Sequence, residues 1–271
     1  MSVFSRLAAA VLLAFAMLPS ISWSESVDLG RIMFLGNSYI EGHDSPNLSW
    51  QGGARKVVED ILKDASAKFE FVGRNDWNSA GMANPLHNGY GGKGIDDLIN
   101  GFTREGVSMG RLADWVQESN ANIYVIDIGR KNEEGTTVDE LKTQFTRFVN
   151  EIYSVNSEAR IIWTEQVSPK AVWFPTAEEH LTKVNEALRQ VSAEQILQGR
   201  QLQIVQAARD WDPDAYLDTD GIHANDAGYS YLGRKQAAMI LQQAPPAVPE
   251  PILLAGLPLA LAAVGRRRQK R

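Results

Sequence analysis

Ser38 stands where an apolar run, Ile32-Met33-Phe34-Leu35, gives way to Gly36-Asn37-Ser38. A strand that stops at a tight turn delivers its next side chains to the carboxyl edge of a parallel sheet, where α/β proteins bind ligands. A serine there has two uses. It is a helix cap, a role that Asn37 fills equally well, or a nucleophile, which needs a base and an oxyanion site. The glycine-flanked elbow Gly-x-Ser-x-Gly is not matched, because Ile40 occupies its last position.

A base for Ser38 has to come from four histidines, His43, His87, His180 and His223. His180 lies in the charged helix start Glu178-Glu179-His180 and reads as solvated. His43 is close to Ser38 in the chain and is a candidate pocket residue. His87 sits in a stretch rich in glycine and asparagine. His223 lies in Asp218-Thr219-Asp220-Gly221-Ile222-His223, just ahead of a helix. A turn across Gly221 can fold Asp220 onto the His223 ring, fix its tautomer and stabilise the imidazolium, as the third member of a triad does. The competing reading is an ordinary polar loop.

Other chemistries find less support. There is no cysteine, which removes disulfides, thiol nucleophiles, thiolate zinc sites and iron–sulfur clusters. Gly89, Gly91 and Gly94 satisfy G-x-G-x-x-G, but that fingerprint requires an apolar strand immediately before it, and Asn84–Asn88 is not one. The run Asp210, Asp212, Asp214, Asp218 lacks the glycine and closing glutamate of a calcium loop and reads as a solvated acidic segment. Nothing in the sequence calls for a cofactor.

These residues need a scaffold, and the pattern between them alternates strand and helix. Strands are expected at Arg31–Leu35, Lys68–Val72, Asn122–Ile128, Arg160–Thr164 and Gln203–Gln206. Helices are expected at Leu48–Ala65, Asp96–Phe102, Ser108–Ser119, Thr137–Val155, Thr176–Gln195 and Ala227–Gln242. Alternation of this kind implies right-handed βαβ units and a parallel sheet of about five strands covered on both faces. Two long loops, Asn75–Gly94 and Ala208–Ala227, are long enough to be functional. No repeat or interior linker breaks the pattern, so residues 25–243 read as one domain.

The two ends read as targeting segments. Residues 1–24 carry Arg6, an apolar run from Leu7 to Leu18, and small residues in Ser22-Trp23-Ser24, as in a secretory signal peptide. Residues 244–271 hold a proline-rich break, an apolar stretch Ile252–Val264 and the cluster Arg266-Arg267-Arg268-Gln269-Lys270-Arg271. Basic clusters beside apolar segments stay on the cytoplasmic side, which leaves the domain outside. Residues 25–250 hold 21 of the 27 basic residues and all 33 acidic ones, a net charge of −12. Such a surface argues against a nucleic-acid partner and suits a neutral or sugar-like one.

Gly36-Asn37-Ser38 and Asp220-Gly221-Ile222-His223 together resemble the first and last blocks of the SGNH, or GDSL-type, hydrolases. The resemblance implies a flavodoxin-like three-layer α/β/α fold and hydrolysis of esters, often acetyl groups on sugars. It places Ser38 as nucleophile, His223 as base and Asp220 as its orienting acid. His87–Leu98 resembles the glycine block, with Gly92 at the key position. Gly129-Arg130-Lys131-Asn132-Glu133 resembles the asparagine block, with one extra residue before Asn132. By that resemblance the oxyanion hole is formed by the N–H groups of Ser38 and Gly92 and by the Asn132 amide, with Arg130 or Lys131 as substitutes. Asn37 replaces the family's usual aspartate. Two rival functions share this site: transfer of an acyl group to a sugar, and glycan binding without turnover.

The tail, Val248–Arg271, resembles the PEP-CTERM sorting signal of Gram-negative bacteria. That resemblance implies an exosortase-like processing partner and an exported protein, held in the inner membrane by its C-terminal helix at least transiently. The destination would be the periplasm, outer surface or extracellular matrix.

Overall fold

The computed structural model describes residues 26–43, 52–130, 136–170 and 177–242. The expected signal peptide, the sorting tail and Asn132 lie outside them.

Five strands run parallel in the order β2 (Lys68–Val72), β1 (Asp28–Gly36), β6 (Ile123–Asp127), β7 (Arg160–Thr164) and β8 (Gln201–Val205). A two-residue strand, β3 (Asn88–Gly89), extends the β2 side by pairing with Leu35 and Gly36 at the end of β1. The first strand is thus central, and the order reverses beside it, which makes the β1/β6 carboxyl edge the switch-point crevice of an open α/β sheet.

Successive side chains of a strand point to opposite faces, and the core divides accordingly. Met33, Leu35, Tyr124, Ile126, Ile161 and Trp163 face one layer of helices, α4 (Leu112–Ser119), α5 (Val138–Val155) and α6 (Ala177–Leu197). Ile32, Phe34, Ile123, Val125 and Ile162 face the other, α2 (Gly53–Asp64) and α8 (Asp226–Leu241). Both layers are built on fully buried aliphatic and aromatic side chains. Thr137 caps α5 in a reciprocal box with Glu140. Arg160 of β7 donates to the Met239 and Ile240 carbonyls at the end of α8, satisfying groups that a helix end leaves open.

The expected helices Asp96–Phe102 and Ser108–Ser119 are shorter than their sequence signals. The structure has α3 at Ile95–Asn100 and α4 from Leu112. Between them an antiparallel hairpin joins β4 (Phe102–Arg104) to β5 (Val107–Gly110). Its turn is Glu105-Gly106, both left-handed at φ 51° and 82°, which is the twist that closes a two-residue hairpin.

Asn75–Gly94, expected to lack periodic structure, is pinned from beneath by α2. Arg55, fully buried on that helix, donates to the carbonyls of Ile40, Glu41, Trp77, Asn78 and Pro85 and to Ser79 Oγ. Glu59, one turn on and also buried, accepts from the Ala83 and Asn84 N–H groups. Replacing Arg55 with methionine strands this set of buried carbonyls. We expect a loss of roughly 3–5 kcal/mol, read as a lower urea midpoint at unchanged m.

Candidate active site

Gly36 ends β1 against β6, and a β-carbon on it would lie 2.1 Å from the Asp127 carbonyl, so only glycine permits this approach. The Asn37 N–H donates to the same carbonyl at 3.2 Å. Asn37 is also the N-cap of α1 (Ser38–Glu41), with its Oδ1 accepting the Tyr39 N–H at 3.0 Å. The asparagine therefore does the capping. Half-buried Ser38 turns its Oγ to His223 Nε2, 3.1 Å away. As the first residue of α1, Ser38 also has an N–H with no acceptor in its own helix.

The histidine arrives on the loop between α7 (Pro213–Tyr216) and α8. Asp220 folds this loop: its Oδ1 accepts the Ile222 and His223 N–H groups at 2.8 and 2.9 Å, and its Oδ2 accepts from His223 Nδ1 at 2.6 Å. With the ring proton on Nδ1, Nε2 presents its lone pair to the Ser38 hydroxyl. Burial pulls the His223 pKa below its ordinary value, Asp220 opposes that, and His43 and Arg130 add to it. The ring is accordingly neutral near pH 7, as a general base must be. Burial pushes the Asp220 carboxyl up, but the two backbone N–H bonds and the imidazole outweigh it and hold the pKa below the usual carboxylate range.

Tyr39 and Arg130 join the serine turn to the histidine loop. The buried Tyr39 hydroxyl donates to the Ile222 carbonyl at 2.6 Å. Arg130 lies over the Tyr39 ring at 4.3 Å and donates to its hydroxyl and to the Ile222 carbonyl, at 3.1 and 3.4 Å. The exposed His43 ring packs 4.6 Å from that of His223. His180, expected to be solvated, is half-buried at the start of α6.

The glycine block passes beside Ser38. A β-carbon on Gly91 would lie 3.7 Å from Ser38 Cβ, but the Gly91 N–H is already given to Glu41 Oε2 at 2.5 Å. Gly92 follows, exposed and left-handed at φ 72°, a conformation that favours glycine. His87 is fully buried beneath this loop. Its Nε2 donates to the Trp77 carbonyl at 2.9 Å and its Nδ1 accepts the Gly89 N–H at 2.9 Å. Burial, with the Arg55 charge beside it, keeps it neutral. It braces the loop and does not face Ser38.

Asp127 has no signal in the sequence beyond its place at the end of a β-branched run. It is buried under the site, bonded to Gln166 Nε2 at 3.0 Å, and burial raises its pKa to about 6 against the pull of Arg130 and Gln166. A carboxyl whose pKa is raised on folding stabilises fully below its unfolded value near 3.9, and the benefit is lost as pH climbs through the folded value. Ionised Asp127 therefore costs about 3 kcal/mol above pH 6. Asp127→Asn keeps an acceptor for Gln166. Its melting temperature should exceed that of the wild type at pH 8 and match it near pH 4; a destabilised variant at pH 8 contradicts the sign.

The acidic run is used locally. Asp212 caps α7, Asp210 and Asp214 face Lys235 and Lys170, and Asp218 Oδ1 accepts the Thr219 N–H. Among the described residues no cluster of histidine and carboxylate is placed to hold a metal ion.

A model of the GDSL-like lipase/acylhydrolase family matches residues 92–241, more than half of the chain, from the glycine block through Asp220 and His223. No curated protein matches the sequence. Among solved structures, a carbohydrate esterase family 3 protein from Talaromyces cellulolyticus superposes with TM-score 0.62 at 19% identity, covering 78% of this chain and 96% of that one. A family 3 carbohydrate esterase from Clostridium thermocellum gives 0.60 at 16%, covering 79% and 94%. An acetyl xylan esterase variant from Geobacillus stearothermophilus gives 0.56 at 14%, covering 81% and 98%. At these identities the superpositions speak for the fold, and they extend the likeness beyond the stretch the family model covers. The chain belongs to the GDSL-like lipase/acylhydrolase family and is a hydrolase of ester bonds.

Proposed function

We propose that the protein is an exported serine esterase that removes short acyl groups, acetyl above all, from carbohydrate. The observation that carries the reading is the unbroken hydrogen-bonded line from Ser38 Oγ through His223 to Asp220. Ser38 Oγ attacks the acyl carbonyl while His223 Nε2 takes its proton. Asp220 holds the imidazolium that forms. The N–H groups of Ser38 and Gly92, with the Asn132 amide, receive the oxyanion. His223 then returns the proton to the leaving sugar oxygen, and an acyl-serine remains. Water, deprotonated by the same ring, releases the acid and restores Ser38.

A short acyl group and a neutral sugar fit a chain whose residues 25–250 carry a net charge of −12. The structural neighbours named for carbohydrate and acetyl xylan point the same way by analogy. Export rests on residues 1–24, and sorting on the Pro-Glu-Pro, apolar and arginine-rich order of residues 249–271. Transient anchoring is assigned to Ile252–Val264 on its apolar sequence beside the arginine cluster; among the described residues no helix is long and apolar enough to cross a membrane.

The test is acetate release from acetylated xylo-oligosaccharides by the full chain and by residues 25–243. Release without transfer to an added acceptor sugar supports the reading. Acyl transfer in preference to water, or glycan binding with no turnover, overturns it. Appearance of residues 25–243 in the periplasm or medium, and its loss when residues 1–24 are deleted, tests export.

A further inference from the structure

We infer that Glu41 is a positioning residue that sets the gap between the nucleophile and the oxyanion loop. The inference rests on the roles proposed above for Ser38 and Gly92. Glu41 belongs to the same helical turn as Ser38, and its side chain is buried, with 4% of its surface exposed. Its Oε2 accepts the Gly91 N–H at 2.5 Å, a short charge-assisted bond. Its Oε1 faces Arg104 Nη1 at 3.3 Å. Arg104 comes from the β4–β5 hairpin, and its guanidinium carbon lies over the Trp77 ring, 4.3 Å from the centroid.

One carboxylate therefore ties three pieces together: the serine turn, the glycine loop and the hairpin. The glycine it holds is the residue before Gly92, and a β-carbon there would sit 3.7 Å from Ser38 Cβ. The Gly91 N–H lies in the rigid peptide plane before the Gly91 Cα and the Gly92 N–H in the one after it, so anchoring the first leaves the second only rotation about the φ and ψ of Gly91. The bond also removes the Gly91 N–H as a competing donor to the substrate. Glu41 reaches no reacting atom; it acts through Gly91. Donors aimed at the oxyanion contribute mainly in the transition state, and loss of aim by about 1 Å can cost on the order of 10²-fold.

Reach and charge can be separated at this position. Glu41→Gln keeps the length and an oxygen acceptor for Gly91 but loses the charge. Glu41→Asp keeps the charge but is one methylene shorter. Steady-state kinetics on p-nitrophenyl acetate should place Gln within about fivefold of wild-type kcat. Asp should fall roughly 10–100-fold in kcat with KM within about threefold. Affinity for a phenylboronic acid, which forms a tetrahedral adduct on a serine, should weaken in Asp in parallel with kcat. Asp equal to or above Gln in kcat, or a loss expressed in KM alone, overturns the inference. Ser38→Ala is measured beside them: turnover there removes the nucleophile assignment itself, whereas an inactive Ser38→Ala with Asp at or above Gln removes only the role of Glu41.

Discussion

Ser38→Ala should lower kcat/KM for p-nitrophenyl acetate by roughly 10⁴–10⁶-fold while leaving the protein folded. The size follows from covalent catalysis: without Oγ there is no acyl-enzyme, and water must attack an ester that the site merely holds. The intact fold follows from Asn37. Its Oδ1 already accepts the Tyr39 N–H, so truncating Ser38 removes no cap, and the melting temperature should move by a few degrees at most. Had Ser38 been the cap, the pattern would invert, with about 1 kcal/mol lost from stability and activity largely kept.

Asp220→Asn should lower kcat by roughly 10²–10⁴-fold and shift the pH profile in a defined direction. In the wild type the acid limb lies below pH 6.5, because burial depresses His223 more than Asp220 raises it. Removing the carboxylate charge removes the raising influence, so the limb moves further toward acid. The residual activity is thus smaller in amount but persists to lower pH. The amide also competes for the wrong ring nitrogen: an Nδ2 facing Nδ1 places the imidazole proton on Nε2, where it blocks the abstraction. A limb that moves upward, or a kcat within threefold of wild type, contradicts the role given to Asp220.

Much of this was legible in the chain itself. Strands β6 and β7 are buried along their whole length, so continuous apolar runs mark them plainly, and the expected strand Arg160–Thr164 coincides with β7. At the edge of the sheet the signal thinned. β8 begins at Gln201, two residues before the expected start, because its partly solvated face carries Gln201 and Gln203. The hairpin Phe102–Gly110 leaves too little alternation to read, because its strands span only three and four residues.

The site divides in the same way. Gly92 enters only through the family resemblance, whereas Ser38, Asp220 and His223 stand out by residue type and local spacing. Arg55, Glu59, Glu41 and Asp127 do not, because each is a charge at a position where burial favours an apolar side chain. Periodicity counts apolar residues and passes over them. Arg55 and Glu59 were detectable as an i, i+4 charged pair on the inward face of α2. Glu41 and Asp127 depend on partners distant in sequence, Gly91 and Gln166. The expected amide donor Asn132 lies outside the described residues.

The most direct measurement is mass spectrometry of the protein after reaction with a fluorophosphonate. The account predicts a single stoichiometric adduct on the peptide that contains Ser38, absent in Ser38→Ala and slowed by at least 10²-fold in His223→Ala. An active enzyme that stays unlabelled, or is labelled on another residue, would contradict it.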